Sequence, residues 1–385
     1  MTWHERAKRV LIDGCSTFSK RVESYIEGVY CSHVAFGDVD ALIMADNTRL
    51  LDTVSGLGSN LWECRNNYSL EPVEAVIAAE ESLKRIPYHT KIKFVKNGGD
   101  ACSAAVRYAR AYTGRHQVYY SGYHGCSQGF VSCTPPGLGT VYECYTKFGT
   151  IELLCEALEA NLKDVACAIV EPLELDLGDL ASRLMRLRNA CNESGTILIF
   201  DEIITGWRVP NYTVANFTGV TPDISCLGKA LAGGYPLGIV AVTDKIASST
   251  HGVFISHTFG AEQRALRECI DTLVTTGQRD IEKTWTLGQV FMQRTNDLLS
   301  PLGMGTLKGY PTRYVWTDVQ KPLKSLIWQG AYRRGVLLGA AFFPKLSWTQ
   351  ATFDTVYNAI AGGVEDYKNG VKLDGKPPQP AFKRN

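Results

Sequence analysis

Residues 196–228 read TILIFDEIITGWRVPNYTVANFTGVTPDISCLG, and the chain continues over 229–244 as KALAGGYPLGIVAVTD. Three short runs in this stretch, TILIF, ISCLG and GIVAV, are apolar at nearly every position instead of alternating apolar with polar. That pattern predicts strands covered on both faces, as in a parallel sheet lined with helices. Each run stops abruptly on polar residues: Asp201-Glu202 after the first, Lys229 after the second, Thr243-Asp244 after the third.

Working outward, the same texture recurs upstream. KIKFV (91–95), QVYYS (117–121) and ACAIVEP (166–172) read as further strands, and the first and third are followed by the helical stretches DACSAAVRYARAYTG (100–114) and DLASRLMRLRNACNES (179–194). SLEPVEAVIAAEESLKRI (69–86) predicts a helix with Ser69 as its N-cap. The first seventy residues read as an amphipathic helix and short strands. Beyond residue 285 the pattern changes to helix (287–299), strand (313–318), helix (324–335) and closing helix (349–370). The expected fold class is α/β: a mostly parallel central sheet covered by helices, with a smaller α+β domain built from both chain ends. The expected divisions are an N-terminal segment 1–70 belonging to the small domain, a large domain 71–284 and a C-terminal small domain 285–385.

Composition narrows the function. Forty Lys+Arg against 39 Asp+Glu give a net charge of +1, so no basic excess points to nucleic acid. The opening MTWHERAKRV has no hydrophobic core of a signal peptide, and no apolar run nears the ~20 residues that span a bilayer. The 12 cysteines are scattered from Cys15 to Cys269 with no CxxC pair, a usage expected of reduced thiols in the cytoplasm. The tail DGKPPQPAFKRN is expected on the surface.

In α/β sheets the ligand lies beyond the carboxyl ends of the strands, so the polar residues that follow each apolar run carry the functional reading. Asn97-Gly98-Gly99-Asp100 stands between a strand and a helix, where bare glycine N–H groups and the helix dipole favour an anion; a plain turn is the alternative. Ser121-Gly122-Tyr123-His124-Gly125 can offer a flat face to a flat ligand, or be a packed turn. Asp201-Glu202 ends a buried strand, where carboxylates are costly without a cation, a proton donor or a metal. No histidine stands near in sequence to complete a metal set, whereas a protonated pyridine nitrogen would satisfy Asp201. Lys229 sits among small and apolar residues, where burial would lower its pKa and make it a Schiff-base nucleophile; a lysine snorkelling to water is the alternative. An anion-binding turn, an aromatic, a strand-end carboxylate and a lysine are together the parts that pyridoxal 5′-phosphate requires.

On these residues the chain resembles the class-III (fold-type I) aminotransferases, nearest the glutamate-1-semialdehyde aminomutase-like branch. KNGGDACSAAVRYARAYTGR, GYHG, IVEP, LIFDEIITGWR, GVTPDISCLGKALAGGYPLG and HTFGAE look like its successive blocks, in order. The resemblance implies that Lys229 carries the cofactor and moves the proton at the substrate's α-carbon, and that Asp201 keeps the pyridine nitrogen protonated. It further implies Tyr123 stacked on the ring with His124 alongside, Gly98, Gly99 and Asp100 as the phosphate turn, Ile203 against the ring face and Glu171 as the family's strand-end glutamate. Thr258 matches the residue that reaches the phosphate from a neighbouring subunit, which implies a homodimer. Two departures stand out. Positions 97–101 read NGGDA where many members have Ser-Gly-Thr-Glu-Ala, and Leu173-Glu174-Leu175-Asp176 follows Glu171-Pro172 where Gly-Asn is common.

The expected activity is aminotransfer or aminomutation on a small amine or amino acid. The same cofactor could instead serve decarboxylation, racemisation or carbon–carbon bond chemistry. A binding protein that keeps the fold without the cofactor is the reading from another class, and the joint presence of Lys229 and Asp201 opposes it. Arg208, Arg65 and Arg313 are candidate carboxylate clamps by their chemistry.

Overall fold

A computed structural model describes the chain except residues 25–30, 65, 132–143, 161–163, 304, 318–320, 376 and 378–385. The described residues form two compact units. The first comprises 1–172, 179–207 and 211–277; the second comprises 173–178, 208–210 and 278–385.

The first unit is organised on a seven-stranded sheet, whose strands are numbered here in chain order. They are β1 (Lys91–Val95), β2 (Gln117–Ser121), β3 (Tyr145–Lys147), β4 (Val165–Val170), β5 (Ile197–Asp201), β6 (Ile224–Gly228) and β7 (Gly238–Val242). Their spatial order is β1-β7-β6-β5-β4-β2-β3. β7 alone is reversed, antiparallel to both β6 and β1, while the other pairings are parallel. Strands β4 to β7 are buried at every position. Their side chains alternate between two cores: Ile199, Cys226 and Val240 pack with Ala101, Ala105 and Tyr108, whereas Leu227, Ile239 and Ala241 pack with Ala75, Ala79 and Leu266. Helix Gly98–Thr113 thus covers one face, and helices Val73–Leu83 and Gln263–Thr275 cover the other. Near-continuous apolar strands exist because both faces are dry.

A second, four-stranded sheet in this unit uses Arg49–Leu51, Ala41–Met44, His33–Asp38 and Glu71–Pro72, in that order. The first seventy residues therefore lie in the same unit as the large sheet, and not, as the expected division had it, with the C-terminal residues. Their contacts explain this. Arg6 forms a two-pronged pair with Glu80 at 2.9 and 2.6 Å, Leu11 bridges to Ile92, and the Thr17 hydroxyl donates to the His257 carbonyl at 2.8 Å. Ser69 does not cap the following helix. Pro72 occupies the N-cap in an extended conformation, and the Ser69 hydroxyl donates to Asp52 instead, at 2.6 Å.

The second unit contains a three-stranded antiparallel sheet (Thr306–Tyr310, Arg313–Thr317, Ala341–Phe342) and helices Gln278–Leu299, Lys321–Arg333 and Gln350–Lys368. Its core gathers Phe291, Tyr314, Phe342, Phe353, Ile327 and Ile360. Its C-terminal part begins at residue 278, ahead of the expected 285, because the long helix starts there. The cysteines among the described residues are all free. No helix among those residues is long and apolar enough to cross a membrane.

Candidate active site

Strands β1, β2, β4, β5 and β6 run in one direction, so their carboxyl ends meet at one edge of the large sheet. A cavity of about 380 Å³ opens there. Asn97, Gly98 and Gly99 follow β1, Tyr123 and His124 follow β2, Glu171 follows β4, Asp201 ends β5 and Lys229 follows β6, and all of them line the cavity. The sheet edge thus gathers residues spread over more than a hundred positions of sequence.

Helix Gly98–Thr113 starts two residues earlier than expected. The Asn97 carboxamide caps it, accepting the Asp100 N–H at 2.9 Å, so Gly98 and Gly99 form the first helical turn with N–H groups not engaged within the helix. Side chains would not fit around this turn. A Cβ on Gly98 would meet Ile203 at 3.0 Å, and one on Gly125, whose φ is +92°, would meet the Gly99 Cα at 2.8 Å. The result is a bare cradle of amides at a helix N-terminus, suited to a phosphate dianion.

Asp201 is almost fully buried and firmly held. Its Oδ2 accepts the His124 Nδ1–H at 2.7 Å and the Cys102 thiol at 3.3 Å, and its Oδ1 accepts the Ile203 N–H at 3.1 Å. His124 is equally buried and donates its Nε2–H to the Ser121 carbonyl at 3.0 Å. Burial acts against its charge, but the hydrogen bond to Asp201 outweighs that effect and pushes its pKa up to about 10. His124 is therefore a fixed imidazolium paired to Asp201. Both neighbours line the cavity, Tyr123 54% exposed and His124 1% exposed in its wall, turned to Asp201.

Glu202 serves a separate structure. Wholly buried, it accepts the Val214 N–H at 2.6 Å, the Ala215 N–H at 3.3 Å and the Thr205 hydroxyl at 3.1 Å, which holds the start of helix Val214–Thr218. Burial raises its pKa to about 7. Glu171 Oε1 accepts the Tyr123 N–H at 2.8 Å and so ties β4 to the aromatic loop.

Lys229 follows Gly228 in a left-handed conformation (φ 45°) and opens a 3₁₀ turn. The expected burial is not found: Lys229 is exposed at the cavity, because its residue leaves the sheet as soon as β6 ends. Cys226 is the register partner of Asp201. Lys229 follows the end of that neighbouring strand, and both Lys229 and Asp201 line the same cavity. The bare amide turn, the buried strand-end carboxylate, the amine and the apolar Ile203 together fit pyridoxal phosphate.

The remaining candidates fall elsewhere. Thr258 lies in an exposed turn. Arg208 and Arg313 belong to the second unit, where Arg208 donates to the Pro344 carbonyl at 3.2 Å beside Phe343, and Arg313 donates to the Glu174 carbonyl at 2.5 Å. Arg65 lies outside the described residues. Sequence reasoning missed Cys102, although its place four residues after Gly98 puts both on one helix face. It also found no histidine near Asp201 in sequence; in space Cys102, His124 and Asp201 bring possible ligand atoms within 4.8 Å of one another. Two of these three already hydrogen-bond each other at the length of a charge-assisted bond.

Fold and cavity together define an α/β enzyme of the pyridoxal-phosphate type. The family model of the class-III aminotransferases matches residues 47–360, and the chain belongs to that family. Glutamate-1-semialdehyde 2,1-aminomutase of Haloquadratum walsbyi is 29% identical over 318 residues, covering 72% of this chain and 69% of the relative. The enzyme of the same name from Methanocaldococcus jannaschii is 28% identical over 258 residues, 61% of each chain. Among solved structures, an omega-transaminase from Sphaerobacter thermophilus superposes with a TM-score of 0.69 at 19% identity, covering 95% of this chain and 97% of its own.

Proposed function

We propose that this chain transfers amino groups to or from a small amine or amino acid, by aminotransfer or aminomutation, with Lys229 and Asp201 as its catalytic residues. When bound, pyridoxal phosphate supplies an aldehyde that condenses with amines and a ring that takes up the electron pair released at the adjoining carbon. In this reading the Gly98 and Gly99 N–H groups, at a helix N-terminus, bind the phosphate, with Asp100 in the same turn. Asp201 keeps a proton on the ring nitrogen, and its own position is fixed by His124. Tyr123 covers one face of the ring, its loop held by Glu171, and Ile203 excludes water from the other. The Lys229 amine anchors the cofactor and, once displaced by a substrate amine, removes and returns the proton at the substrate carbon.

The observation that carries the reading is that Lys229 and Asp201 line one cavity from adjacent parallel strands, with the bare amide turn beside them. The second copy expected to contribute Thr258 makes the functional form a homodimer, and the exposed setting of Thr258 suits that role. The free cysteines support a cytoplasmic setting.

Borohydride treatment of the purified protein with pyridoxal phosphate should fix a cofactor-sized mass on the peptide containing Lys229. Lys229→Ala should show no such mass and should lose turnover by at least about 10²-fold. Equal labelling of the two proteins would refute the assignment. Candidate amines should then yield carbonyl products with the amino group retained on the cofactor; carbon dioxide release without that transfer would assign the chain to decarboxylation.

A further inference from the structure

Cys102 is 1% exposed in the second turn of helix Gly98–Thr113, the helix whose first turn forms the amide cradle. Its sulfur reaches Asp201 Oδ2 at 3.3 Å, the same oxygen that takes the His124 N–H at 2.7 Å. Cys226, the register partner of Asp201, is buried in the same core as Cys102. An ionised carboxylate can only accept, so the thiol at 3.3 Å from Oδ2 acts toward Asp201 as a donor.

A carboxylate offers about four acceptor positions. His124 and Cys102 occupy those of Oδ2, and the Ile203 N–H takes one on Oδ1, which leaves a single position on Oδ1. We propose that Cys102 is a positioning residue for Asp201: its S–H closes Oδ2 together with His124, and so assigns Oδ1 to the ring nitrogen of the cofactor. This rests on the function proposed above, since it concerns how the carboxylate meets that ring. The helix that binds the phosphate and the acid that holds the nitrogen are thereby linked through one thiol, so the two ends of the cofactor share a support.

The test separates the donor from the volume it fills. Cys102→Ala and Cys102→Ser remove similar volume, but serine keeps an O–H. In the cofactor-free protein, the downfield proton resonance of His124 Nδ1–H should move in Cys102→Ala and stay near its wild-type position in Cys102→Ser. In the holoenzyme, Cys102→Ala should weaken pyridoxal phosphate binding roughly three- to tenfold and lower kcat with KM unchanged, while Cys102→Ser should remain within about twofold of wild type. The near-isosteric pair Cys102→Thr and Cys102→Val asks the same question if the alanine variant does not fold. Equal impairment with and without the hydroxyl would reduce Cys102 to packing and overturn the proposal, as would an alanine variant identical to wild type in both readouts. Wild-type protein that takes up no pyridoxal phosphate would sink the proposed function, and the His124 resonance would still report whether the thiol holds the carboxylate.

Discussion

Removing the imidazole of His124 should be among the most costly single changes in the first unit, and the cost should depend on pH. The His124 pKa rises from an ordinary 6.5 to about 10. At ~1.4 kcal/mol per pH unit this corresponds to an interaction on the order of 5 kcal/mol with its surroundings. Breaking a buried ion pair by deleting one partner costs about 3–5 kcal/mol, so His124→Ala should lose about that much. Because the folded-state value lies above the unfolded one, the stabilisation is fully present below pH 6.5 and is lost as pH rises toward 10. Urea unfolding of the cofactor-free protein at about pH 6, 8 and 10 should therefore show a gap between wild type and His124→Ala that narrows with pH. A cycle with Asp201→Ala should give a double variant that loses less than the sum of the singles. A gap that is constant with pH, or a coupling below about 1 kcal/mol, would mean that the imidazole is neutral and merely fills space.

Two further outcomes follow from the same geometry. Glu202, raised to about 7 by burial, takes up a proton on folding, so its neutral form loses its advantage as pH climbs from 4.5 to 7. Glu202→Gln should flatten that slope and gain on wild type by up to ~3 kcal/mol between those limits; parallel unfolding curves would contradict the assignment. Gly125→Ala places a methyl against the Gly99 backbone at a positive φ, and should cost about 1–3 kcal/mol of stability and weaken pyridoxal phosphate binding measured by absorbance. Unchanged cofactor affinity would show that the phosphate is held elsewhere.

Much of the large sheet was legible in advance because it is buried on both faces. Such strands carry their signal in every residue, and β1, β2, β4, β5, β6 and β7 lie where their apolar runs predict. Tyr145–Lys147 and His33–Asp38, which are partly exposed, have no such runs and were not anticipated. The lining of the candidate cavity was legible where a residue ends or directly follows its strand, as Asp201 and Lys229 do. It was not legible where a partner arrives from another element. His124 reads as the companion of Tyr123, yet its hydrogen-bond partner Asp201 is 77 positions away. Cys102 looks like one more small helix residue until the helix is laid on β5. Glu202 beside Asp201 looks like half of a carboxylate pair, but its oxygens satisfy backbone amides of a later helix.

The reversed strand β7 has a consequence of its own. Its first residue, Gly238, pairs with Gly228 on one side and Val95 on the other, and a Cβ there would collide with the Asn97 carbonyl. The segment 229–237 is therefore a hairpin loop whose return leg is clamped between the two strands that carry the lysine and the amide turn. Lengthening that loop by one residue without a compensating bulge would slide Gly238 out of its slot and displace both at once. Insertions should be tolerated poorly there, while polar substitutions at its exposed tip should pass almost unnoticed.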